Sequence, residues 1–172
     1  MNAIELLKEQ FKGAHDLMEG TVADVTDEML AFKDTNKALP VSSAYVHAVA
    51  GEDLILTGMI LQTKPICEDY QAAGLSEPMP TTMEGDKHNL WVASVKLDLP
   101  KFKAYAQKVY TQTAEYLATL QDEDLDQEVE IPGMGKHTLA FLISNFLLIH
   151  FANLTGEVSA AKGFQGNKGY PF

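Results

Sequence analysis

Residues Gly135 to Gly166 read GKHTLAFLISNFLLIHFANLTGEVSAAKGFQG. Apolar side chains occupy this stretch around much of a helical circumference, which marks a helix buried in the middle of a protein. Thr138 is placed to cap it, because a threonine oxygen can accept from the free N–H groups of the first turn. Gly163 is placed to stop it, since glycine accepts the backbone turn that ends a helix. His150 is the histidine within the apolar run, and four residues later the chain has Leu154. Residues four apart share a helix face, so a second histidine there would give a pair able to chelate a metal. Leucine offers no such donor. The most apolar part, Leu139 to Leu154, is interrupted by Ser144, Asn145, His150 and Asn153. It is shorter than the roughly 20 residues that span a bilayer, so it reads as a helix of a bundle core.

Outward from that helix the chain supplies three more. Ile4, Leu7, Phe11, Ala14, Met18, Thr21 and Val25 step by three and four, one stripe of a first helix. Thr26 and Asp27 form a capped turn with DEML as a short helical piece, and Pro40 then breaks the chain. Ser42 or Ser43 caps a second helix running to about Gln62. Residues Thr63 to Leu97, with three prolines and a Gly85-Asp86 pair, read as a long connection with a short helix near Tyr70. Such a length is unusual inside one domain, and in a bundle it crosses from one end to the other. Asp98 caps a third helix with Pro100 in its first turn, and Phe102, Ala106, Val109, Thr113, Leu117 and Leu120 make its buried stripe. The acidic run Asp122 to Glu130 lacks the glycine and the final glutamate of a calcium loop, so it reads as a solvated connector. Pro132-Gly133-Met134-Gly135 is a turn. The expected fold is therefore all-α: one domain over residues 1–172, a four-helix bundle with a long crossover between helices two and three.

The chain has 172 residues, 13 basic against 24 acidic, a formal charge of -11. That balance argues against a nucleic-acid surface, which needs clustered Lys and Arg. The lone Cys67 implies no disulfide scaffold. The N-terminus, MNAIELLKEQFK, mixes charges through an amphipathic helix instead of the basic start and apolar core of a signal peptide. These features point to a cytoplasmic protein with no membrane and no nucleic-acid partner.

The segments LPVSSAYVHAVAGED, HFANLTGEVSAAKGFQG and the final KGYPF resemble the DinB/YfiT-like superfamily, and the resemblance runs over nearly the whole chain. It implies a four-helix bundle in which one histidine of helix two and two of the last helix bind a divalent metal, commonly zinc or nickel. By position His47 matches the first ligand and His150 the second, and Leu154 stands at the third. Asn153 and Glu157 are the nearest substitutes on helix four; Glu52 and Asp53 are further candidates on helix two, although Glu52 faces away from His47. A catalytic zinc usually has three protein ligands and water, so the expected zinc or nickel binding is weak or absent.

Helix two carries a second hint. His47, Gly51, Leu54, Gly58 and Leu61 lie on one stripe, and each interior glycine costs about 1 kcal/mol relative to alanine. Either close helix packing or a pocket floor beside His47 offsets that cost. Tyr45, Trp91, Tyr105 and Tyr110 are candidates to line such a pocket or to fill the core. His15 lies just off the helix-one stripe, His88 in a polar loop, and His137 before a helix; none has a nameable partner. Cys67 has no basic neighbour in sequence to activate it. Two function classes follow: a non-catalytic small-molecule binder or homodimeric scaffold, favoured by Leu154, or a metal-dependent hydrolase or low-molecular-weight-thiol transferase. No residue pair identifies a substrate.

Overall fold

The computed structural model describes residues 1–32, 39–78, 80, 87–131 and 133–172. The Gly85-Asp86 pair, Pro132 and the side chain of His88 lie outside them. The chain is mainly α-helical with one small two-stranded sheet.

Helix α1, Ala3–Thr21, opens on a capping box. Asn2 accepts from the Glu5 amide at 2.9 Å and Glu5 accepts from the Asn2 amide at 3.2 Å. It buries Ile4, Phe11, His15, Met18 and Thr21, so His15 is turned inward with the apolar stripe. α2, Asp27–Ala31, is capped by Thr26, whose hydroxyl accepts from the Met29 amide. α3, Val41–Leu54, begins after Pro40 without a side-chain cap. Ser42 instead donates to the Leu30 carbonyl, because a buried hydroxyl bonds whichever acceptor the fold brings to it. The helix continues as a π-helical stretch, Ile55–Leu61, and ends where Gln62 takes a left-handed conformation, φ 53°.

The long connection contains more structure than its composition indicates. A 3-10 turn, Ile66–Glu68, is followed by a bend whose Gly74 has φ +79°. A Cβ there would lie 2.8 Å from the Asp98 carbonyl and from Lys101 Cβ, so only glycine lets this bend dock on the start of the next long helix. A further helix, α4, Lys87–Ser94, carries buried Trp91 and includes His88 in its backbone. α5, Leu99–Thr119, starts at Asp98, which accepts from the Lys101 amide, and buries Phe102, Tyr105, Ala106, Val109, Tyr110, Thr113 and Leu117. The acidic connector folds into a 3-10 turn, Asp122–Asp126, and an antiparallel hairpin of β1, Glu128–Ile131, with β2, Gly135–Thr138. Glu128 faces Thr138 and Ile131 faces Gly135.

The last helical run begins at Thr138, which accepts from the Phe141 amide. It comprises α6, Leu139–Phe141, a π-helical stretch, Leu142–Ile149, and α7, His150–Phe164. The π winding is visible in the burial: Leu139, Ile143, Leu147 and Phe151 face inward at steps of four, wider than the spacing of an α-helix. Gly163 lies inside the helix. The stop is at Gly166, φ +76°, where the amides of Gly166 and Asn167 return to the carbonyls of Gly163 and Lys162, a Schellman arrangement.

α3 packs against α7, α7 against α1, α1 against α5, and α5 against α3. The four long helices therefore close a ring. Inside it are two apolar clusters, one containing Met18, Tyr45, Phe102, Phe151 and Val158, the other containing Ile4, Phe11, Ile55, Leu117 and Ile143. Along the helices, His15 falls between Phe11 and Met18, Glu52 between Val49 and Ile55, and Thr113 between Val109 and Leu117. A polar level thus separates the two apolar ones.

Candidate functional site

Nearly all of α3 is buried; its partly open positions are His47, Gly51 and Leu54. These belong to the stripe of the two interior glycines. Gly58, one turn on in the π stretch, is exposed, and a Cβ there would meet nothing within 4 Å. Helix packing does not explain that glycine. Gly51 is different: a Cβ would lie 3.4 Å from His150 Cε1 and 3.7 Å from His47 Cδ2. It forms the floor beneath both imidazoles. The two rings stand edge to face with centroids 4.9 Å apart, both half-buried, at the contact of α3 with α7.

Leu154 is 4% exposed and belongs to the larger apolar cluster. Asn153 and Glu157 are exposed. Glu52 and Asp53 are fully committed inside the protein. Glu52 accepts from Thr113 and bonds His15 Nε2 at 3.0 Å. Asp53 accepts from the Ile66 and Cys67 amides at 3.1 and 2.9 Å and from the Tyr105 hydroxyl at 2.9 Å. Among the described residues no group of three or more His, Cys, Asp or Glu side chains is placed to hold one metal ion. Among the described residues the donors at this place are two imidazoles, one short of the three protein ligands usual for a catalytic zinc.

The sequence left His15 without a partner, and the structure supplies one. Its ring stacks on Tyr110 at 3.9 Å, meets Phe151 edge-on at 5.1 Å, and bonds Glu52. Position in sequence gives no sign of this pair, whose members are 37 residues apart. The tyrosine candidates bond to carboxylates inside the protein. Tyr45 and Tyr110 both donate to Glu19, at 2.8 and 3.0 Å, and Tyr105 donates to Asp53. Burial is the main cause that raises all three phenols above their ordinary range, with the neighbouring carboxylates adding to it for Tyr45 and Tyr110. Trp91 donates to the Glu77 carbonyl. His137 stacks on Phe141 at 4.5 Å. Burial, with Asp53 beside it, pushes the Cys67 thiol up to about 12, far from a nucleophile's range.

A scan against protein-family models finds no match, and a search of curated proteins finds none. Among solved structures, a conserved protein of Enterococcus faecalis superposes with a TM-score of 0.78 at 16% identity, covering 94% of this chain and 96% of that one. At that identity the likeness is one of fold.

Proposed function

We propose that this protein is a DinB/YfiT-like four-helix bundle whose metal site has been reduced to two histidines, and that it acts as a non-catalytic small-molecule binder assembled as a homodimer. The observation that carries the reading is the His47–His150 pair over Gly51, with Leu154 packed in the core where a third ligand would stand. The ring of four helices and the end-to-end likeness to a solved structure support the bundle. Two half-buried imidazoles can bond a polar ligand, and Gly51 lets both rings lie close to the α3 backbone. Replacing a ligand by an apolar side chain preserves packing while removing coordination.

Metal analysis of protein purified without a histidine tag tests this. The expected result is zinc and nickel well below one equivalent per chain. Stoichiometric metal that survives dialysis would restore the reading as a metal-dependent hydrolase or thiol transferase.

A further inference from the structure

The polar level of the interior opens on the α1–α5 side of the ring, where His15 reaches the surface. A cleft of about 260 Å³ lies there, and His15 and Tyr110 are part of its wall. We propose that this cleft is a second small-molecule site, taking a neutral, hydroxyl-bearing compound of about the size of phenol whose hydroxyl donates to His15 Nδ1.

The argument starts from the ring. His15 is 8% exposed, yet it lines a cleft. Tyr110 stacks on the ring, Phe151 meets it edge-on, and Nε2 is held by Glu52, which Thr113 also bonds. A carboxylate accepts from Nε2–H, and in the neutral ring that fixes the other nitrogen as an acceptor. Nδ1 is then the polar atom of the ring left for a solute. A histidine locked by a buried carboxylate, with its second nitrogen left over, is the arrangement by which proteins orient an imidazole toward a ligand proton.

The lining identifies the ligand class. Lys8 and Lys12 are balanced by Asp16 and Glu19, and Lys12 is already tied to Asp16. The rim therefore favours neither an anion nor a cation. Phe11 and Leu117 add apolar lining to the polar groups, which suits a ring or short hydrocarbon bearing one hydroxyl. Glu52 is a positioning residue here, since it acts only through His15.

The test uses the wild-type chain with ring-15N-labelled histidine, titrated with phenol and separately with toluene, which has the same shape and no hydroxyl. Single His→Gln substitutions at 47, 88, 137 and 150 assign the His15 signals while leaving the dyad intact. The expected result is a saturable shift at His15 Nδ1 with phenol and binding about fivefold to tenfold weaker with toluene, the ratio that one net hydrogen bond supports. In Glu52→Gln the amide can turn either its oxygen or its nitrogen to the ring, the tautomer is no longer fixed, and the phenol-to-toluene ratio should fall toward one. If that variant does not fold, the wild-type titration alone decides. Equal binding of the two probes, no shift at His15, or shifts confined to His47 and His150 would each overturn the proposal and leave the dyad as an internal tether.

Discussion

Leu154, one helical turn after His150, is part of the apolar core. Gly51 is the position to probe. Its missing Cβ costs helix stability, yet a methyl there would touch both imidazoles at ordinary contact distance. Gly51→Ala should therefore leave the fold intact, raise stability by at most about 1 kcal/mol, and block ligands at His47 and His150; a thermal melt beside a histidine chemical-shift titration checks both. Cys67 gives a second residue-scale expectation. Its thiol is raised from an ordinary 9.0 to about 12, so across that window the unfolded chain gives up a proton that the folded chain keeps. Stability must then fall as pH rises from about 9 toward 12, and the raised phenols of Tyr45, Tyr105 and Tyr110 push the same way. Denaturation midpoints measured from neutral to alkaline pH should decline above about 9, with Cys67 alkylation limited by unfolding. A flat profile, or rapid labelling of the native protein at neutral pH, would contradict the burial.

At the scale of elements, the long helices were legible because their buried stripes recur at three and four, and because Asp98, Thr26 and Thr138 are cap residues doing what caps do. The pieces that were not legible are those whose order comes from elsewhere in the chain. α4 sits in a proline-rich connection, and the hairpin of β1 and β2 starts at the end of an acidic run, each strand only four residues long. The π winding of Leu142–Ile149 could be read only as a slight widening of the apolar step. The histidine pair was legible through resemblance; the Glu52–His15 pair was not, since pairing across 37 residues leaves no local trace. The end of α7 offers a test of the packing. Lys162, 2% exposed, donates to the Thr21 carbonyl at 2.6 Å and to Asp24 at 2.5 Å. Lys162→Ala removes the stem and orphans that carbonyl, and should cost about 2 kcal/mol or more; Lys162→Met, which keeps the stem, should cost less. The Lys162 hydrogen bond holds the Asp24 carboxyl below its ordinary 3.8. Its contribution is present above that value and is lost as pH falls below it, so Asp24→Asn should flatten the acid limb of the stability curve.

For the whole molecule, the outer face of the last helical run needs an explanation. Leu139–Phe164 is 26 residues long and, like Val41–Leu61, is apolar and long enough to cross a membrane by length and composition alone. The sequence argument from a short run therefore does not hold at the length the helix reaches. Ile149 and Phe164 are 50% and 62% exposed, and apolar side chains left outside a closed ring favour burial against a second copy. Sedimentation equilibrium should show a dimer at micromolar concentration, and Ile149→Glu should shift it toward monomer without lowering the melting temperature appreciably. A wild-type chain that sediments only as monomer would remove the dimer from the proposal.

The proposed reduction of the metal site to two imidazoles is tested most directly by calorimetric titration of zinc into the untagged wild-type protein beside Leu154→His. The substituted ring lies in an apolar setting and should cost about 1 to 3 kcal/mol of stability while it is unsatisfied. Metal should return that stability by binding the folded state. The expected outcome is weak or unsaturable binding to the wild type and one tight site per chain in the variant, with a melting temperature that zinc raises only in the variant. Tight one-to-one zinc binding by the wild type would contradict the account, because it would require a third donor that the arrangement of His47, His150 and Leu154 does not provide.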